Sequence, residues 1–168
     1  VIIRRATVDD AEAIRAIYNT EVTGSTVTFD LVPRTAEEQV RWLVDRSGAY
    51  AVLVAEDDQG LVAGFASLSP FRDRPAYATT VEDSVYVDRG RRGEGIGRLL
   101  LDELVSTATA HGFHTVIARI VGGHETSIAL HRGAGFAVVG TEREVGRKMG
   151  RWLDVVVMQR LLGRGAGD

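Results

Sequence analysis

Ser84-Val85-Tyr86-Val87-Asp88-Arg89-Gly90-Arg91-Arg92-Gly93-Glu94-Gly95-Ile96-Gly97-Arg98 is the stretch on which the fold turns, and the apolar run Leu99-Leu100-Leu101 follows it directly. Val85, Tyr86 and Val87 are strand formers. The chain then crosses a turn rich in glycine and arginine and opens a helix. Glycine lets backbone N–H groups come close to a ligand, and a helix N-terminus offers unpaired donors with partial positive charge. Such a junction binds an anion, most often phosphate. Arg89, Arg91, Arg92 and Arg98 crowd this turn in a chain of net charge −3. The basic charge is therefore local, as suits a polyphosphate ligand rather than a nucleic-acid coat.

Absent residues narrow the ligand. No lysine follows these glycines, so the turn is not a P-loop. A dinucleotide fingerprint fails as well, because Arg98 stands three residues after Gly95 and Leu100 three after Gly97. What stands is Arg92-x-x-Gly95-x-Gly97 between a strand and a helix. This resembles the acetyl-CoA pyrophosphate loop of the GNAT acetyltransferase superfamily, whose motif is Q/R-x-x-G-x-G/A.

The 168 residues suit one domain, expected over 1–162, with a loose tail over 163–168. Hydrophobic residues make up 45% and charged residues 26%, an ordinary globular balance. No run of 18 apolar residues and no signal-like leader is read, so neither membrane nor export is expected and a cytoplasmic location is. Cysteine is absent, which removes disulfides, thiolate zinc sites and an acyl-cysteine intermediate. His111 and His114 share no carboxylate-rich motif, and no metal is expected.

In chain order, Val1 to Thr7 reads as a strand, and Thr7 or Asp9 caps a helix carrying Ala11, Ile14, Ile17 and Tyr18. Tyr18-Asn19 and Thr26-Val27-Thr28-Phe29 read as a polar, aromatic-ended connection. Pro33 and Thr35 open a helix from Ala36 to Val44, with Val40, Leu43 and Val44 as its buried stripe and Ser47-Gly48 as its stop. Ala49 to Ala55 and Leu61 to Leu68 form a hairpin. Ser69 to Tyr77 is a proline-broken surface loop. Thr80 to Asp88 is the central strand, and Gly95 to His111 the long helix ended by Gly112. Thr115 to Val121 is a strand, Glu125 to Gly133 a helix, and Phe136 to Glu144 and Trp152 to Leu161 the last strands. This order implies an α+β fold with a mixed, mostly antiparallel sheet of about seven strands and helices on both faces. It matches the GNAT superfamily over nearly the whole length.

Three further stretches resemble one branch, the phosphinothricin and methionine sulfoximine/sulfone N-acetyltransferases. They are Tyr18-Asn19 with Thr26 to Phe29, Phe71-Arg72-Asp73-Arg74-Pro75-Ala76-Tyr77 leading into Thr80 to Val87, and Gly150-Arg151-Trp152-Leu153-Asp154-Val155 with Met158-Gln159. Ser127-Ile128-Ala129-Leu130-His131 with Gly135-Phe136 supplies the superfamily's late helix. The resemblance implies acetyl-CoA as co-substrate and direct N-acetylation of a small amino-acid-like acceptor in a homodimer, with no nucleic acid or membrane as partner. Glu82 matches the general base, and its ordinary pKa of about 4.3 would have to be raised for that work. His131 stands where other members carry the acid for the departing thiolate.

Val85, Tyr86 and Val87 would pair through their backbone with pantetheine amides, and the first group past the central-strand bend could serve the oxyanion. Arg92, Gly93, Glu94, Gly95, Ile96, Gly97 and Arg98 would hold the pyrophosphate, with His124 and Ser127 at the late helix. His124 departs from the usual Asn, though a histidine still donates. Arg72 and Arg74 suit an acceptor carboxylate. Phe29, Tyr77, Lys148 and Trp152 could wall the acceptor pocket, beside Met149 where relatives carry an aromatic or histidine. Rival readings are a GNAT enzyme for another amine, such as a protein N-terminus or polyamine, and a non-catalytic CoA sensor.

Overall fold

Strand formers and amphipathic helices alternate along the chain, and each helix is returned to one face or the other of a single sheet. The computed structural model describes residues 1–46 and 48–163. Ser47 and all but the first residue of the expected tail lie outside the described residues.

The elements are β1 (Ile2–Arg5), α1 (Ala11–Gly24), α2 (Ala36–Val44), β2 (Val52–Glu56), β3 (Val62–Pro70), β4 (Thr80–Val87), α3 (Ile96–Ala110), β5 (Thr115–Val121), α4 (Glu125–Gly133), β6 (Ala137–Lys148) and β7 (Arg151–Leu161). The sheet order is β1-β2-β3-β4-β5-β7-β6. Every neighbouring pair is antiparallel except β4–β5, which is parallel.

Strand alternation sorts side chains onto two cores. Val81, Leu53, Leu68 and Ala118 meet Leu100, Leu101 and Leu104 of α3 on one face. Val52, Val54 and Phe65 meet Ile14, Ile17 and Tyr18 of α1 on the other. The three α3 leucines are fully buried, which contributes on the order of 2 kcal/mol each.

Two local expectations are corrected. Tyr18 and Asn19 belong to α1, which runs on through Gly24. Its last turns look polar in sequence because Glu21 faces inward, where arginines from another segment neutralise it. The buried stripe of α2 is also turned: Gln39 is fully buried, whereas Val40 is 36% and Val44 64% exposed. Trp42 sets this rotation by packing edge-on to Phe65 at 6.3 Å, with the Arg34 and Arg46 guanidiniums 4.9 and 3.9 Å from its ring centre. An aromatic between two cations outweighs two valines.

The one parallel junction positions the site. β4 and β5 pair only through Thr80–Thr115, Val81–Val116 and Glu82–Ile117. Beyond Glu82, β4 stays in register with β3 as far as Val87, and β5 stays with β7 as far as Val121. Each strand follows its own antiparallel partner, so the two splay and open a notch in the middle of the sheet.

Candidate active site

The notch is the floor of a cavity of about 610 Å³. Asp83 to Val87 form one wall and Ala118 to Val121 the other. The start of α3 and the segment Gly123 to Ser127 close its ends, with Glu21 and Val27 reaching in from the α1 side. Along the splayed part, the β4 backbone facing β5 has no strand partner among the described residues, so its groups are open to an extended polar ligand.

At the mouth, Gly93 and Gly95 take φ of 81° and 80°, a left-handed conformation that suits glycine. The bend brings the first turn of α3 to the cavity. The first helical bond there is from Leu99 N to Gly95 O at 3.2 Å, which leaves the N–H groups of Ile96, Gly97 and Arg98 free of helical acceptors. A Cβ at Gly97 would lie 3.4 Å from Leu130 Cδ2 and 3.6 Å from Val87 Cγ2, so a bare backbone lets α3, α4 and β4 converge.

The four arginines are not free cations. Arg91 donates to Asp57 at 2.8 Å and Glu94 at 2.9 Å, and Arg98 pairs with Asp102 at 2.8 Å. Arg89 and Arg92 donate to Glu21 Oε1 at 2.9 and 2.8 Å. The cluster read as net positive in sequence is balanced by carboxylates from α1, the β2–β3 turn and α3 itself. Attraction for an anion therefore rests chiefly on backbone N–H groups and the helix dipole.

Glu21 is 3% exposed. Burial alone would raise its pKa, but hydrogen bonds from Arg89 and Ser25, with Arg92 adjacent, hold it down at about 2. Gly24 makes room for this brace, since a Cβ there would lie 2.9 Å from Arg89 Nη2.

Two candidate catalytic side chains occupy opposite faces of β4. Glu82 points to the α1/α2 side, half-buried, with Arg119 Nε at 3.7 Å from Oε1. Burial pushes its pKa up; Arg119 opposes this and the neighbouring Asp83 adds to it. His131, on the α3/α4 side, is 4% exposed. Its Nδ1 lies 2.8 Å from the Ser127 carbonyl and its Nε2 2.7 Å from Asp83 Oδ2.

His124, at the N-cap of α4, meets Thr26 Oγ1 through Nε2 at 2.8 Å. Burial lowers its pKa and so favours the neutral ring. Of the expected cofactor residues, Val85, Tyr86, Val87, Arg92, Gly93, Gly95, Ile96, Gly97, Arg98, His124 and Ser127 line the cavity together with His131. Glu94 instead accepts from Arg91.

Glu82 and the expected acceptor residues lie beyond the cavity lining. Arg72 sits over the Phe71 and Tyr77 rings at 4.7 and 5.5 Å, exposed, and Arg74 is exposed in the same β3–β4 connection. Phe29 rests on Gly146, where a Cβ would come within 2.3 Å of its ring. Lys148 is buried, donates to the Thr28 carbonyl at 2.7 Å, and has its pKa lowered by burial. Met149 occupies the β6–β7 turn with φ 53°.

Sequence reading missed Asp83, Glu21, Thr26 and Arg119 as site residues. Only Asp83 left a signal: it shares a strand face with Val81, Val85 and Val87, where an unpaired carboxylate would be costly.

Known proteins fit this geometry. A family profile described as an acetyltransferase (GNAT) domain matches residues 3–157. A phosphinothricin N-acetyltransferase of Streptomyces coelicolor is 41% identical over 95% of each chain. An L-methionine sulfoximine/L-methionine sulfone acetyltransferase of Pseudomonas aeruginosa is 41% identical over 94% of this chain and 92% of its own. The crystal structure of a GNAT phosphinothricin acetyltransferase from Sinorhizobium meliloti, in complex with acetyl-CoA, superposes with TM-score 0.94 at 42% identity, covering 99% of this chain and 91% of the other.

Proposed function

Because the chain belongs to the GNAT acetyltransferase family, we propose that it transfers the acetyl group of acetyl-CoA directly to the α-amino group of an amino-acid analogue of the phosphinothricin or methionine sulfoximine/sulfone type. The observation that carries this reading is the splay of β4 from β5 beyond Glu82–Ile117, with the first turn of α3 at its mouth. Pantetheine lies along the open edge of β4 as an added strand would. The pyrophosphate meets the N–H groups of Ile96, Gly97 and Arg98.

This arrangement brings the thioester to the apex of the notch, where the two faces of β4 present different chemistry. On the α1/α2 face, Glu82 takes a proton from the acceptor ammonium, directly or through water. Burial supports this role by raising its pKa toward working pH. A backbone N–H just past the apex receives the developing oxyanion. On the α3/α4 face, His131 returns a proton to the departing thiolate. Arg72 and Arg74, exposed and at the same end of β4 as Glu82, hold the acceptor carboxylate.

The variant Glu82→Gln separates binding from chemistry. Turnover should fall by a factor on the order of 10² or more, with acetyl-CoA affinity measured by calorimetry unchanged. Undiminished turnover removes Glu82 from the mechanism.

A further inference from the structure

The face of β4 that carries Val81, Val85 and Val87 is apolar except at Asp83. This carboxylate, 6% exposed, is the first residue of β4 beyond the last parallel pair, at the apex of the notch. Its partner is His131 Nε2 at 2.7 Å, and the other ring nitrogen faces the Ser127 carbonyl at 2.8 Å. A carbonyl can only accept, so Nδ1 carries a proton. With Asp83 as the carboxylate it too can only accept, and Nε2 then carries the second proton. Phe136 packs edge-on to the imidazole with ring centres 5.0 Å apart, fixing its plane. Both Asp83 and His131 line the cavity.

We propose that Asp83 is a positioning residue for His131, holding the imidazole doubly protonated at the apex of the notch so that the pair stores the proton which the departing CoA thiolate takes. This rests on the reading of the notch as an acetyl-transfer site. The acceptor nitrogen forms a bond to the acetyl carbon, and the carbon–sulfur bond breaks with its electron pair going to sulfur. The proton that His131 Nε2 and Asp83 Oδ2 share passes to that sulfur, giving the free thiol. The proton lost by the acceptor nitrogen leaves through Glu82 to water, and a solvent proton restores the imidazolium. A thiolate whose conjugate acid has a pKa of about 8.5 is basic enough to draw this proton.

Among the described residues, the arginines on the neighbouring elements are paired elsewhere or exposed. Arg98 of α3 is paired with Asp102, Arg132 of α4 is exposed, and Arg160 of β7 donates to the Ala134 carbonyl at 2.6 Å. Burial opposes the charge on His131, but the Asp83 and Ser127 contacts outweigh it and the net shift is upward.

The direct test is NMR titration of His131 in the full chain, with ring nitrogens labelled. The expected result is an imidazolium that persists well above pH 6.5, the ordinary histidine midpoint of about that value being exceeded. In Asp83→Asn the midpoint should drop by about one unit or more, and kcat with methionine sulfone at pH 8 should fall about tenfold. That loss should shrink to within about threefold near pH 6, where solvent supplies the proton, with KM for acetyl-CoA unchanged. A wild-type His131 that titrates at or below about pH 6.5 overturns the proposal even if the variant does not fold. So does a kcat loss in Asp83→Asn that is the same at every pH. A high His131 midpoint in a protein that acetylates none of the acceptors would leave the ion pair standing and defeat the acetyl-transfer reading instead.

Discussion

Replacing Glu21 by Gln tests whether the glycine- and arginine-rich turn before α3 is held by a buried carboxylate. The change keeps the shape and the Ser25 contact while removing the charge that Arg89 and Arg92 share. Glu21 titrates at about 2, against 4.5 for an ordinary glutamate. At about 1.4 kcal/mol per pKa unit, that difference has a ceiling of roughly 3 kcal/mol. The two arginine side chains are 47% and 54% exposed, so water screens much of it. About half remains, roughly 1.5 kcal/mol. A folded-state pKa below the unfolded one means stability present above about pH 4.5 and lost as pH falls toward 2. Glu21→Gln should therefore lower the urea-derived stability by about 1.5 kcal/mol at pH 7, or Tm by roughly 3–6 °C. The gap between the two proteins should close as pH falls from about 4.5 toward 2. An equal gap at all pH values, or none at pH 7, would refute the brace.

Two other predictions concern the acceptor side and assembly. Gly146→Ala places a methyl group where the Phe29 ring lies, so the ring must swing out. We expect a loss of about 1–2 kcal/mol in stability and a raised KM for the acceptor, with KM for acetyl-CoA unchanged; unmoved acceptor kinetics would take Phe29 out of that pocket. β6 is a long edge strand with Val138, Val139 and Val145 exposed, and Trp152 beside it on β7 is 61% exposed. An edge of this kind invites a partner. We expect a homodimer, twice 18.2 kDa by light scattering, that Trp152→Glu dissociates; a wild-type monomer would contradict it.

The parts of this fold legible in the sequence are those where local pattern and packing agree. The bounds of α2, β5 and α4 follow from caps, glycines and apolar runs that each sit where the sheet needs them. The glycine-rich turn was legible because its strand, left-handed glycines and helix are contiguous. What stayed hidden is carried by contacts distant in sequence. Glu21 looks like a solvated helix residue until Arg89 and Arg92, 68 and 71 positions away, arrive beside it. The same pairs hid the electrostatics, since four arginines in one turn read as free positive charge. Trp42 rotated α2 because its cation neighbours come from outside the helix. Asp83 needed only strand parity to be noticed, but its partner His131 lies 48 positions on.

Acetyl transfer at the apex of the notch is the central step to test. The most direct measurement is thiol release from acetyl-CoA by the wild-type protein, with methionine sulfone, methionine sulfoximine, phosphinothricin and spermidine as separate acceptors and the products fragmented by mass spectrometry. The expected result is turnover on at least one of the three amino-acid analogues, an acetyl group on its α-nitrogen, and little or none on spermidine, whose cations meet the exposed Arg72 and Arg74. Turnover confined to spermidine, or tight CoA binding with no acetylation of any acceptor, would contradict it.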